Sequence, residues 1–266
     1  MKKLNNIKAL ILDMDGVLWR SNEPIGHLPT IFARIAERGL KVTLATNNST
    51  RTPEQHLEKV TGFGVTLDVS QILSSAMASA AQLKEDFPNG GDVYVVGHEG
   101  ITEALKAEGF RIFQENELPE NPVAVVSGID WQITYEKIAN ASRLIRNGAP
   151  FYGTNPDKTY PTPGGLMPGA GTILAALEIA GGQSPTISGK PEPYLFQLAM
   201  RRMGVMPNET LMVGDRLETD VLGGQNAGCH TAQVLSGVST RAEGEALQTP
   251  PDLIANDLSA VLELLE

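Results

Sequence analysis

Short apolar runs alternate along the chain with segments in which apolar residues recur at helical spacing. The runs cover residues 7–12, 42–45, 93–96, 123–126, 186–188, 211–213 and 231–235. Runs of this kind read as strands covered on both faces, and their alternation with helices marks βαβ units around a parallel sheet. In 28–38, Leu28, Ile31, Phe32 and Ile35 share one helical face, and Gly39 supplies a natural stop. Thr52, Pro53 and Gln55 have the arrangement of N-cap, N1 and N3 of a following helix. The amphipathic pattern returns at 194–203, after Pro191 and Pro193. One stretch departs from this rhythm. Residues 147–182 concentrate Gly, Pro, Asn and Tyr ahead of a small apolar helix, and long irregular segments in compact domains are often functional, so a binding loop is expected there.

Composition narrows the partners. With 21 basic and 31 acidic side chains the 266 residues carry a formal charge of −10, which argues against general affinity for nucleic acid or anionic membrane. The single cysteine, Cys229, cannot form an internal disulfide and reads as a small core residue in a reducing compartment. Lys2 and Lys3 before an apolar stretch imitate a signal peptide, but Lys8 interrupts that stretch and Asp13 ends it. No apolar run approaches the roughly 18 residues of a membrane helix. A cytoplasmic location is expected.

Ligands of open α/β sheets bind beyond the carboxyl ends of strands, so polar residues that follow apolar runs carry the candidate chemistry. Four runs qualify: the first ends in Asp13-Met14-Asp15-Gly16, the second in Thr46-Asn47-Asn48-Ser49, another in Gly189-Lys190-Pro191, and the last in Gly214-Asp215 followed by Asp220. Singly, each is ordinary turn or surface chemistry. Jointly they place four carboxylates, one ammonium and several donors at one expected sheet edge. Asp13, Asp15 and Asp215 within reach of one another would repel unless a cation joined them, and oxygen ligands suit Mg²⁺. Asp13, ionised at neutral pH, can attack phosphorus and form an aspartyl phosphate. Asp15 can protonate the leaving oxygen and then deprotonate water. Lys190, Thr46 and the amides around Asn47 and Asn48 suit a phosphoryl group, while Asp220 is placed to orient Lys190 or a metal-bound water.

These residues resemble the four motifs of the haloacid dehalogenase (HAD) superfamily of phosphatases: Asp13-Met14-Asp15-Gly16-Val17, Thr46-Asn47-Asn48, Lys190 in Gly-Lys-Pro-Glu-Pro, and the segment from Gly214 to Asp220. The forms TNNS, GKPEP and GDRLETD are similar to the NagD-type branch. The resemblance covers nearly the whole chain and implies an α/β fold, a Rossmann-like doubly wound parallel-sheet core with an inserted α/β cap. About 140 residues separate Thr46 from Lys190, which accommodates such an insertion. The expected division is a core of 1–80 and 183–266 with a cap of 81–182. The resemblance also implies a cap loop that selects the substrate, with Asn155, Asp157, Tyr160 and Met167 as candidates, although Asn155-Pro156-Asp157 alone reads as a turn. Trp19 reads as packing or as a platform for a substrate ring.

The leading expectation is therefore a Mg²⁺-dependent phosphomonoester hydrolase acting on a small phosphorylated metabolite. A sugar phosphomutase sharing the nucleophile and a phospho-aspartate signalling module are the alternatives; the latter is typically half this length and has no cap. Cap surfaces in such proteins can pair, which leaves a homo-oligomer open.

Overall fold

The computed structural model describes residues 4, 6–162 and 164–265. Lys2 and Lys3 lie outside the described residues. The chain divides into two compact units. One comprises Met1–Thr46, Glu54–Leu73 and Lys190–Glu266, and the other Asn47–Pro53 and Ser74–Gly189.

The first unit is built on a six-stranded sheet with the order Leu253–Ala255, His230–Val234, Thr210–Gly214, Ala9–Leu12, Lys41–Thr46 and Ile72–Ser74. Ala9–Leu12 pairs in parallel with both Thr210–Gly214 and Lys41–Thr46, setting Leu12 opposite Val213 on one side and Leu44 on the other. The strand is buried throughout, as its unbroken ALIL run requires for a central parallel strand. One face receives the helix Leu28–Glu37, whose buried Leu28, Ile31, Phe32 and Ile35 are those the helical spacing selects. The helix ends at Arg38, and Gly39 follows at φ +65°, a left-handed turn that glycine tolerates. The amphipathic helix Pro193–Met203 buries Leu195, Leu198 and Ala199. Cys229 is a core residue as expected: its Sγ lies 3.6 Å from Met200 Sδ, and burial pushes its thiol pKa up to about 12.

The second unit has its own five-stranded sheet, ordered Thr186–Ile187, Phe151–Gly153, Ala124–Ser127, Asp92–Val96 and Arg111–Phe113, in which all the pairings are parallel. The two valine-rich runs form its centre. Its helix Ser75–Asp86 turns Ala76, Ala80 and Leu83 into the core beneath Val93 and Val95. This packing starts the unit at Ser74 and not at the expected residue 81. The far boundary also differs, because Ser188 and Gly189 donate backbone hydrogen bonds to Gly153 and Thr154. The run at 186–188 is therefore an edge strand of this sheet and not a core strand. A two-residue strand carries no periodicity from which its sheet could be told.

The irregular stretch at 147–182 is more ordered than its composition suggests. It contains Phe151–Gly153, an antiparallel hairpin of Thr159–Thr162 with Gly165–Pro168, and the helix Ala170–Gly181 with Gly169 as N-cap. Pro168-Gly169-Ala170-Gly171 forms the entry to this helix. Among the described residues no helix is long and apolar enough to cross a membrane.

Leu10 is fully buried in the first unit's core. Leu10→Ala should therefore cost about 2 to 5 kcal/mol, read as a lower denaturant midpoint at unchanged slope. A loss below about 1 kcal/mol would show that the strand is not central.

Candidate active site

The register of three parallel strands assembles the first half of the site. Asp13 follows Leu12, its amide donating to Val213 O at 2.9 Å, and so stands beside Ala45 of one neighbouring strand and Gly214 of the other. Thr46, buried, ends Lys41–Thr46, and Asp215 directly follows Thr210–Gly214. Asp220 returns to the same strand end through a single π-helical turn, Leu217–Val221. A Cβ on Gly214 would fall 2.2 Å from Asp220 Cβ, so this approach requires glycine. Asp220 Oδ2 accepts from Arg216 N at 3.1 Å, which closes the turn on itself.

Lys190 supplies the cation. Its Nζ is buried and donates to Asp13 Oδ1 at 2.6 Å, to Asp220 Oδ1 at 2.6 Å and to Ala45 O at 3.2 Å. Ligand oxygens of Asp13, Asp215 and Asp220 all lie within 4.8 Å of one another. Asp215 Oδ2 accepts from Val238 N at 2.8 Å, while Oδ1 is buried without a hydrogen-bond partner. Gly16, at φ +83°, comes so close that a Cβ there would meet Asp215 Oδ2 at 2.4 Å.

Three carboxylates and one ammonium leave an uncompensated negative charge out of water. The titration behaviour expresses this. Burial pushes Asp13 well above the ordinary carboxylate range; Lys190 opposes the rise, and the charges of Asp220 and Asp215 add to it. Burial also pushes Asp215 up to about 6, with Asp220 adding and the Val238 amide, Arg216 and Lys190 opposing. Burial alone would lower the Lys190 pKa, but Asp13 and Asp220 outweigh it and hold the ammonium above the ordinary lysine value. An orphaned carboxylate oxygen among crowded acids is the donor set that a hard divalent cation takes, so the residues fit Mg²⁺. Asp13 and Asp215 are the side chains that would hold it, since both Asp220 oxygens already accept hydrogen bonds.

The expected residues do not all converge. The structure does not bring the Asp15 carboxylate into the acid cluster. That side chain is exposed, and its Oδ1 accepts from Trp19 Nε1 at 2.7 Å. Trp19 is 1% exposed and packs against Phe63, so it is no platform for a substrate ring. In the second unit, Asn155 and Asp157 brace Asn47. Asn155 Nδ2 donates to Asn47 O at 2.8 Å and Asp157 Oδ2 accepts from Asn47 Nδ2 at 3.1 Å. Asn155 Oδ1 accepts from Asp157 N at 3.2 Å, and at 1% exposed this residue is a structural turn and not a surface that meets substrate. Asn48 Oδ1 accepts from Thr50 N, and Ser75 Oγ donates to Asn47 O. Tyr160 and Met167 face one another across the hairpin register, with Met167 47% exposed. The support of Asp215 by Val238 N and of Asn47 by Ser75 carries no sequence signal, because one is a backbone amide and the other a common hydroxyl.

A parallel α/β sheet whose strand ends gather buried acids around one lysine, with room in its charge balance for a divalent cation, is the arrangement of proteins that transfer phosphoryl groups to an aspartate. Comparison with known proteins places the chain within that class. Residues 10–111 match the family model described as haloacid dehalogenase-like hydrolase, and 187–261 match a second, HAD-hydrolase-like model. An acid sugar phosphatase from Staphylococcus saprophyticus is 34% identical over 99% of this chain and 100% of its own. Among solved structures, NagD from E. coli K-12 superposes with a TM-score of 0.87 at 32% identity, covering 96% of this chain and 98% of its own. A glycerol phosphate phosphatase from Mycobacterium tuberculosis, in complex with magnesium, gives 0.89 at 30% identity over 98% and 78%. The chain belongs to the haloacid dehalogenase-like hydrolases, as a phosphatase of their NagD-type branch.

The buried acids also set a pH signature. The folded Asp215 value of about 6 lies above its ordinary 3.8, so the folded chain binds more protons than the unfolded one, and metal-free stability falls as pH rises between these values. A cation at the site favours the ionised acids. Mg²⁺ should therefore raise the melting temperature more at about pH 7.5 than at about pH 5, with the difference reduced in Asp215→Asn. An equal shift at both pH values would contradict this charge balance.

Proposed function

We propose that the protein is a Mg²⁺-dependent phosphomonoester hydrolase of small phosphorylated metabolites, working through an aspartyl phosphate on Asp13. The observation that carries this reading is the buried Lys190 ammonium held between Asp13 and Asp220 beside an unpaired oxygen of Asp215. Asp13 and Asp215 would hold Mg²⁺, which when bound would supply positive charge for a phosphate and favour the ionised acids.

The chain's own groups do the rest. Asp13, fixed through Oδ1 by Lys190, attacks phosphorus and needs no base to activate it. Asp15, exposed and outside the acid cluster, is available to give a proton to the departing oxygen and to recover one from the water that cleaves the intermediate. Lys190, the Thr46 hydroxyl and the amides of Asn47 and Asn48, next in the chain, neutralise and orient the equatorial oxygens. Asp220 positions Lys190. Asp157, through Asn47 Nδ2, positions the loop that follows Thr46. Tyr160 and Met167, on the second unit's hairpin, are the residues to which we assign choice among substrates.

Asp13→Asn should lower Mg²⁺-dependent phosphate release from p-nitrophenyl phosphate by about a thousandfold or more. Retained activity would remove the nucleophile. The relatives named for sugar and glycerol phosphates point to compact esters as substrates. A panel of phosphorylated metabolites at matched concentration should rank such compounds above nucleotides and above a folded phosphoprotein. Efficient release from the phosphoprotein would contradict the small-metabolite reading.

A further inference from the structure

Trp19 and Asp15 are joined within the loop that leaves the central strand. Besides the 2.7 Å bond from Trp19 Nε1 to Asp15 Oδ1, the backbone closes the same turn. Gly16 N donates to Trp19 O at 2.8 Å and Leu18 N to Met14 O at 2.9 Å. The indole has little freedom to drift: its ring centroid lies 5.6 Å from that of Phe63, and Lys59 Nζ sits 4.4 Å from its centroid. Lys59 is in turn tied to Ser21 O at 2.9 Å. A cation over the ring face withdraws electron density and strengthens the N–H as a donor. A rigid, buried donor therefore grips one oxygen of an exposed carboxylate.

We infer that Trp19 is a positioning residue for the acid–base step, holding Asp15 Oδ1 so that the working proton is carried on Oδ2. This deepens the proposed reaction and rests on Asp15 being its acid and base. A carboxyl protonated on Oδ2 still accepts at Oδ1, so the indole bond persists in both protonation states. In the first step the Oδ2 proton passes to the leaving oxygen as the ester P–O bond breaks and the bond from Asp13 to phosphorus forms. In the second, Oδ2 takes a proton from water as the water oxygen bonds to phosphorus and the bond from Asp13 breaks. One ester and one water give one alcohol and one phosphate, and Asp13 and Asp15 return to their starting states. Without the indole, the carboxylate samples other rotamers and alignment is lost at the transition state.

Trp19→Phe keeps an aromatic ring and removes the donor. On an alkyl phosphate that the wild type turns over, whose alkoxide needs a proton to leave, kcat should fall about tenfold with KM within about twofold. On p-nitrophenyl phosphate, whose phenolate leaves unaided, the fall should be much smaller. In an Asp15→Asn background Trp19→Phe should add no loss. Equal losses on both esters, or a full further loss in that background, would overturn the inference as mere packing. Should Trp19→Phe not fold, the exposed Asp15→Ala variant, which removes the acceptor, serves by NMR. The chain has two tryptophans and Trp131 is 63% exposed, so the protected indole N–H resonance is that of Trp19. It should shift and lose protection in Asp15→Ala, and an unmoved resonance would overturn the bond. Full alkyl-ester activity of Asp15→Asn together with a resonance shifted in Asp15→Ala would overturn the inference by removing the acid–base reading, while leaving the bond in place.

Discussion

One buried ammonium organises this site. Lys190 Nζ bridges Asp13 and Asp220 at 2.6 Å each, and without it three carboxylates would share a space nearly closed to water. The lysine compensates part of their charge and leaves the remainder for a divalent cation. This incompleteness is functional, because full internal neutralisation would leave no negative charge to draw a divalent cation to the site. The same imbalance raises the pKa values of Asp13 and Asp215, so that the nucleophile's ionised state depends on what binds beside it.

The strands and turns around the cluster follow from that demand. A central parallel strand ends at Asp13, and its neighbours end at Thr46 and Gly214 in matched register. Acids and donors on different sequence segments thereby reach one edge without long side chains. Close approach is maintained by removing Cβ atoms: Gly214 admits Asp220, and Gly16 admits Asp215. The π-helical turn brings Asp220 back over the strand it has just left and spends that residue's second oxygen on Arg216 N. Asp220 is thus a partner of the lysine and its own turn, not an open ligand.

Much of this was legible in order and spacing. Continuous apolar runs of three to six residues identified the central strands of both sheets, since burial on both faces leaves a strong signal. Asp13 and Thr46 could be placed because each directly ends such a run, and Asp215 because only Gly214 separates it from one. Lys190 could be singled out but not correctly routed: its preceding strand has two residues and pairs with Phe151–Gly153 in the other unit. Ile72–Ser74, Phe151–Gly153 and Leu253–Ala255 were too short to declare themselves. Side-chain direction was hidden altogether. Nothing in the spacing of Asp13 and Asp15 tells that one joins Lys190 and the other Trp19, and Asn155-Pro156-Asp157 shows its turn chemistry without showing that it braces Asn47.

The account's central claim is that Asp13 takes the phosphoryl group. Turnover of a good substrate with Mg²⁺, stopped by rapid acid quench and followed by borohydride, reduces an acyl phosphate to an alcohol that peptide mass spectrometry locates. The account predicts homoserine at position 13 and at no other aspartate, only when substrate is present. Reduction at another residue, or phosphate turnover with position 13 never modified, would contradict it.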